Sequence, residues 1–431
     1  MTLIQPSWSH CIGAPRPTHD MTTEIRDTAQ TSRSSIGRRR LRDRIPPDLV
    51  VALLYCLKVF LLVRVGLALL AIVGVALLPP NEAAGVPGWP APELTPGWHN
   101  LFTSWERWDA LWFLRIASTG YDATDGSAAF FPLYPMIVRG VSFGLGGHPL
   151  AAALIVSNVA YLGAMVTVFR LTEYEFDSDR ARNTILFMSI FPTAFFFLAP
   201  YSESLFLLLA AGSIYAARRD RWLTAGLLGA LAAVTRSVGL VLVLVLAAEA
   251  LCRWMKREGR EAIRLIAMLA CAAAVGIGTL SYLAFWNAFD GNWLAPIGEQ
   301  GNWQRSFAVI PYTLWAGTRE AWRYVGQFPG GYHTIDWLVV VPVLLLATWV
   351  ALRTPLPYAV YTVASLLLPL SLIFESRPLM SVPRFAVVLF PIYWAMDHFA
   401  ERWGSRSTFV GVSAAGLGIL TVLFVNWYWI F

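Results

Sequence analysis

Apolar residues in this chain come in long runs, and polar residues gather in short breaks between them. Runs near 50–79, 149–171, 183–217, 222–254, 262–289, 334–352, 355–374, 383–402 and 407–430 are each long enough to cross a hydrocarbon core, which takes about 20 helical residues. Two of the longest are interrupted: 183–217 by Pro200 and Ser202-Glu203-Ser204, and 222–254 by Thr235-Arg236-Ser237. Each is expected to fold as a helical pair joined at its break, which gives about eleven spans. Backbone groups cannot stay unpaired in lipid, so the pattern predicts an all-α polytopic membrane protein. A single integral membrane domain is expected over 49–431, with a first large loop at 80–148 carrying interfacial helices and a second at 290–333.

Composition supports this class. Of 431 residues, 57% are hydrophobic and 14% charged, a balance that a soluble enzyme does not have. Residues 1–48 carry Arg38, Arg39, Arg40, Arg42 and Arg44 without apolar periodicity. They read as a disordered, basic, cytoplasmic tail whose arginines set orientation. No short apolar run precedes a small-residue cleavage site, so the tail is not read as a signal peptide, and Met21 is a second candidate start. The net charge of +6 resides largely in this tail and in short basic loops, which argues against nucleic acid as a partner.

Charge distribution then orients the chain. If 130–147 forms a juxtamembrane or re-entrant helix instead of crossing, the clusters at Arg170, Arg180 and Arg182, at Arg218 to Arg221, at Arg253 to Arg260, at Arg353 and at Arg402 to Arg406 all fall inside, as the positive-inside preference requires. The same arrangement gathers the unusual polar groups on the outer face: Glu106 and Asp109, Ser202 to Ser204, Thr235 to Ser237, the 290–333 loop, and Glu375 to Arg384. Charges near helix ends in lipid are costly, and their grouping on one side predicts a solvated cavity opening outward.

The first loop holds the densest chemistry. As an interfacial helix over 104–117, it would align Trp105, Trp108 and Trp112 in one stripe, with Asp109 about 60° from Trp112. Two readings stand: an acid desolvated by the stripe into a usable base, or an ordinary aromatic belt whose acids face water. Glu203 reads either as a helix N-terminal cap or as a site residue. Arg236, Arg377 and Arg384 each call for an anion, met equally by a lipid headgroup phosphate or a substrate phosphate. Cys11, Cys56, Cys252 and Cys271 support neither a disulfide framework nor a thiolate metal site, and the six histidines show no ligand spacing. No glycine-rich phosphate loop is present.

Together these segments resemble a known family. Trp108 to Ala117 with Gly120 and Tyr121, Phe130 to Pro135, Phe191 to Ala194 with Tyr201 to Ser204, Ala233 to Gly239, and Pro383 to Phe385 with Phe390 and Pro391 are similar, in that order, to the motifs of PIG-V-type mannosyltransferases of the GT-C superfamily. The resemblance runs from about residue 50 to about 402, outside the tail and the final span. It implies a donor of polyprenyl- or dolichyl-phosphate mannose and an essential acid in the first outer loop, which matches Asp109. It further implies inverting transfer, with Asp109 as base and Arg236 and Arg384 on the donor phosphate, Arg377 and Arg115 behind them. Glu106, Glu203, Ser202, Trp108, Trp112 and Tyr134 are then the substrate-binding candidates. No metal and no cofactor beyond the lipid-linked sugar is expected. The acceptor stays open among glycolipid, lipoglycan and protein, as does the choice of mannose over another sugar. The alanine-, arginine- and tryptophan-rich composition suggests a bacterial cell membrane, with the N-terminus cytoplasmic and the site extracytoplasmic. A transporter of polyprenol-linked sugars is the competing class, and it predicts inward-facing polar groups to match the outward ones.

Overall fold

The computed structural model describes residues 47–92, 97–256, 261–327 and 331–430. The basic tail therefore lies outside the described residues except for its last two positions. Helix α1 (Pro47–Leu77) is followed by a loop holding the short α2 (Asn100–Thr103), α3 (Asp109–Thr119) and α4 (Leu133–Gly144). The chain continues through α5 (Pro149–Glu175), α6 (Ser178–Ile190), α7 (Glu203–Arg218), α8 (Trp222–Thr235), α9 (Leu242–Lys256) and α10 (Ala262–Asp290). A second loop carries α11 (Ala295–Asn302), strand β1 (Arg305–Phe307) and α12 (Ile310–Arg323). Then come α13 (Tyr332–Arg353), α14 (Leu356–Leu370), β2 (Leu372–Phe374), α15 (Val382–Ala386), α16 (Pro391–Arg402) and α17 (Arg406–Val425).

The protein is an all-α polytopic bundle, as its hydrophobic runs require. Among the described residues, six helices are long and apolar enough to cross a membrane: 48–77, 149–175, 237–256, 262–290, 332–353 and 406–425. Helices α6, α7, α8, α14 and α16 are shorter, at 13, 16, 14, 15 and 12 residues. Length and composition thus support six of the expected eleven or so spans. The two interrupted runs do fold as helical pairs. Between α6 and α7 lies a 3-10 turn over Ala194–Phe197, and between α8 and α9 another over Ser237–Val241. Arg236 marks the second break with an extended backbone, φ −154° and ψ 147°.

Two expectations need correction. The 383–402 run is not one helix. It forms α15, unwinds, and restarts at Pro391, because a proline has no N–H to donate and its ring crowds the carbonyl four residues earlier. The helix expected over 104–117 starts only at Asp109, since Trp108 adopts φ 55° and ψ −120°, outside the helical region. The three tryptophans accordingly form no stripe. Trp105 is buried near Phe424, with ring centroids 6.3 Å apart. Trp108 packs between Trp427 and Trp429, at 5.5 and 6.0 Å, while Trp112 stacks on Phe130 at 5.3 Å. Helix α4, at 12 residues, extends about 18 Å and is too short to cross, in keeping with a juxtamembrane element.

Elsewhere the bundle is held by small-residue contacts and by ion pairs at one end. Arg218 binds Glu175 at 2.7 Å and Glu249 at 3.0 Å, and Arg253 joins Glu249 at 2.6 Å, tying α5, α7 and α9 together. Helices α8 and α10 approach closely through Gly226, Gly229 and Gly278. A Cβ at Gly278 would sit 2.2 Å from the Ala230 carbonyl oxygen, whereas one at Gly276 would meet nothing within 4 Å. Gly278→Ala is therefore expected to destabilise the protein by about 1–3 kcal/mol through overpacking. Gly276→Ala should not lower the melting temperature in detergent, since alanine is the better helix former where there is room for its Cβ, and equal melting of the two variants would contradict the close contact.

Candidate active site

Four charged side chains from four separate elements meet at the end of the bundle where the interrupted helices break. Asp109 is the first residue of α3, Glu203 the first of α7, Arg236 lies in the break after α8, and Arg384 is on α15. Arg384 binds Asp109 through Nη1 and Glu203 through Nε. Arg236 Nη1 donates to Glu203 Oε1 at 2.5 Å and to Ser202 Oγ at 3.2 Å. Glu203 is fully buried and holds both arginines, while Asp109 is the more accessible carboxylate. The guanidinium of Arg384 lies over the Tyr201 ring at 4.7 Å, and that of Arg236 over Phe385 at 5.0 Å. Tyr201 is itself fixed by donation from its hydroxyl to the Arg107 carbonyl at 3.0 Å.

These groups face a cavity of about 560 Å³. Asp109, Ser202, Arg236, Ser381, Arg384 and Arg305 line it, with Leu240, Leu283, Ile297 and Leu368 supplying apolar wall and Phe130, Phe131, Trp303 and Trp429 aromatic wall. Glu203 Oε2 and Arg236 Nε are buried without a hydrogen-bond partner among the described residues. A guanidinium carries five N–H donors, and Arg384 and Arg236 commit only some of theirs, so both keep donors for an anion in the cavity. Asp109 and Glu203 against Arg236, Arg305 and Arg384 leave one net positive charge at the site. That balance suits a monoanionic ligand with an apolar tail.

Several residues singled out in the sequence do not reach the cavity. Arg377 is clamped by Asp336 at 2.6 and 2.7 Å and donates to the carbonyls of Trp429 and Ile430. Arg115 pairs with Asp125 and donates to the Gly120 carbonyl at 3.2 Å, fixing the loop after α3. Their donors are used in these contacts, and neither arginine lines the cavity. Glu106 accepts from Trp89 Nε1 at 2.9 Å. Burial pushes its carboxyl above the usual range, opposed by that hydrogen bond and by Arg107. Tyr134 is buried, with its hydroxyl 2.8 Å from Ser157 Oγ. Trp112 backs the wall through Phe130 and Trp303, and Trp108 does so through Trp429. Glu203 begins α7 but its Oε1 is taken by the two arginines, Arg236 and Arg384.

The site also contains residues that sequence reasoning did not single out. Arg305 arrives on β1, which pairs antiparallel with β2 in the register Arg305↔Phe374, and it donates to Ser381 Oγ at 3.0 Å. The only sequence signal was that the 290–333 loop falls on the same face as the other polar groups. Trp303 lies in the same loop and Ser381 in the Glu375 to Arg384 segment of that face, whereas Trp429 had no signal.

The family described as Mannosyltransferase (PIG-V) matches residues 54–289, more than half of the chain. The chain belongs to the PIG-V mannosyltransferase family. The match includes Asp109, Glu203 and Arg236 and stops before Arg305 and Arg384. Among curated relatives, the GPI mannosyltransferase 2 of Drosophila pseudoobscura pseudoobscura is 35% identical over 109 residues, 23% of this chain and 24% of that protein. The GPI alpha-1,6-mannosyltransferase 2 of Mus musculus is 32% identical over 176 residues, 38% of this chain and 34% of that protein. This PIG-V family member thus aligns with a quarter to a third of those relatives' lengths. Both are eukaryotic, so the bacterial expectation rests on composition alone. Of solved structures, ArnT from Cupriavidus metallidurans bound to undecaprenyl phosphate is 14% identical, with a TM-score of 0.45 over 74% of this chain and 71% of that one.

Replacing Glu203 in this family member leaves two buried cations without their shared anion. Glu203→Gln is expected to destabilise the fold by roughly 3–5 kcal/mol, the cost of breaking a buried pair from one side. Thermal unfolding of purified protein reads this directly, and a melting temperature like that of the wild type would remove Glu203 as the anchor of the site.

Proposed function

We propose that this PIG-V family member is an inverting membrane mannosyltransferase of the GT-C type, moving mannose from a polyprenyl- or dolichyl-phosphate donor to an acceptor hydroxyl. The observation that carries this reading is the pairing of an accessible carboxylate, Asp109, with a cationic set of Arg384, Arg236 and Arg305 in one cavity that also has an apolar wall. A lipid-phosphate sugar matches each part. Its phosphodiester is a monoanion, its isoprenoid is apolar, and its sugar needs room at the polar end.

In this reading the donor phosphate takes up the uncommitted donors of Arg384 and Arg236, with Arg305 beside them. Drawing Arg384 toward phosphate loosens its hold on Asp109, which becomes available as base. The acceptor hydroxyl attacks the anomeric carbon from the face opposite the phosphate. Its proton passes to Asp109, the new O–C1 bond forms, and the electron pair of the breaking C1–O bond leaves with the phosphate. Negative charge then accumulates on the departing phosphate, where the guanidiniums are already positioned to stabilise it. In this reading the arginines supply the positive charge that a metal ion would otherwise bring to the departing phosphate. The charge pattern of the loops supports an extracytoplasmic site.

The test is transfer of labelled mannose from polyprenyl-phosphate mannose in membranes. Asp109→Asn is expected to lower kcat by at least about 100-fold, as for loss of a general base, with the donor KM little changed. Arg236→Ala is expected to raise the donor KM. Wild-type rates in both variants would sink the proposal. Movement of the lipid-linked sugar across vesicles by wild-type protein, with no transfer, would instead establish a transporter.

A further inference from the structure

We infer that Trp429 is a positioning residue for the acceptor, a platform on which the acceptor stacks so that its hydroxyl is presented to Asp109. The inference rests on the transfer reaction proposed above and adds to it a residue far outside the family match.

The mount of this tryptophan is unusually well built. After α17 ends at Val425, Trp427 turns the chain with φ 65°. Two buried arginines then hold the segment by its carbonyls. Arg107 Nε donates to the Val425 oxygen at 2.9 Å, and its guanidinium lies 4.7 Å over the Trp427 ring. Arg377, fixed by buried Asp336, donates to the Trp429 oxygen at 2.5 Å and to the Ile430 oxygen at 2.6 Å. Trp427 and Ile430 are buried, at 0% and 1% exposure, whereas Trp429 between them is 38% exposed and lines the cavity. Its ring is backed by the near-parallel ring of Trp108, 25° from coplanar, and abutted edge-on by Phe374 at 5.8 Å. A rigid indole set into the wall of the cavity offers a flat apolar surface at little ordering cost. The C–H face of a sugar or cyclitol ring complements such a surface.

Position assigns the platform to the acceptor. Trp108, which stacks on Trp429, immediately precedes Asp109 in the chain, so the platform is tied to the proposed base. The donor phosphate is drawn to the arginines, and its apolar chain has Leu240, Leu283 and Leu368 along the wall. The reactant that must meet Asp109 is the acceptor hydroxyl, and stacking on Trp429 limits its orientation.

The test uses the full chain in nanodiscs. Initial rates are read with labelled polyprenyl-phosphate mannose as donor and octyl α-D-mannopyranoside as acceptor probe. Saturation-transfer NMR reads binding of methyl α-D-mannopyranoside without donor. Trp429→Ala is expected to raise the acceptor KM about tenfold while the donor KM stays within about twofold, and to abolish saturation transfer. Trp429→Phe, which keeps a ring face, should retain most of both. Trp429→Leu, which keeps bulk without one, should behave like alanine if the alanine variant melts early. An unchanged acceptor KM, an equal rise in donor KM, or no mannoside binding by wild type overturns the platform. Ring-dependent binding in a protein that transfers no mannose would uphold the platform and reject the transfer reaction; transfer that ignores Trp429 would do the reverse.

Discussion

A buried carboxylate shared by two guanidiniums is the constraint around which the rest of the site is arranged. Glu203 is fully enclosed and binds Arg236 and Arg384 at once. An isolated charge so placed would cost several kcal/mol, so the three side chains must arrive together. That requirement fixes the relative positions of α7, the α8–α9 break and α15, and through Arg384 it also fixes the start of α3 at Asp109. The broken helices follow from it. A continuous helix through Ser202 or Arg236 would direct these groups toward lipid or a neighbouring helix instead of toward one another.

The arginines of this face divide into two kinds according to whether they line the cavity. Arg107, Arg115 and Arg377 are engaged by carbonyls or by a private carboxylate, and they brace loops and the segment after α17. Arg236 and Arg384 share their anion and keep unused donors. Arg305 reaches the same cavity from the second loop by way of a three-residue strand pair. Residue type alone does not separate the two kinds, because an arginine beside lipid calls for an anion or carbonyls in either case.

Sequence reasoning fared best where a single physical rule dominates. Length and apolarity gave the helical bundle, since lipid leaves the backbone no alternative. The breaks at Ser202 to Ser204 and Thr235 to Ser237 were legible because polar residues interrupt otherwise unbroken apolar runs. The tryptophan stripe was misread for a physical reason: helical spacing assumes helical backbone, and Trp108 at φ 55° removes that assumption at the central position. Arg377 and Arg384, seven residues apart on one loop, carried the same two options at residue level and were ranked only by the resemblance; in the fold they bind different anions.

By itself the sequence determined the class of molecule, the grouping of its unusual charges and the family to which its motifs belong. These depend on local composition and order along the chain. Tertiary structure alone decided which acid meets which base, as with Asp109 and Arg384, 275 positions apart, and which arginine keeps donors for a ligand. It also brought Arg305 and Trp429 to the cavity, with no local pattern to announce them. Hydrogen bonds and ion pairs act over a few ångströms, and only the packed bundle sets distances of that size between residues so remote in sequence.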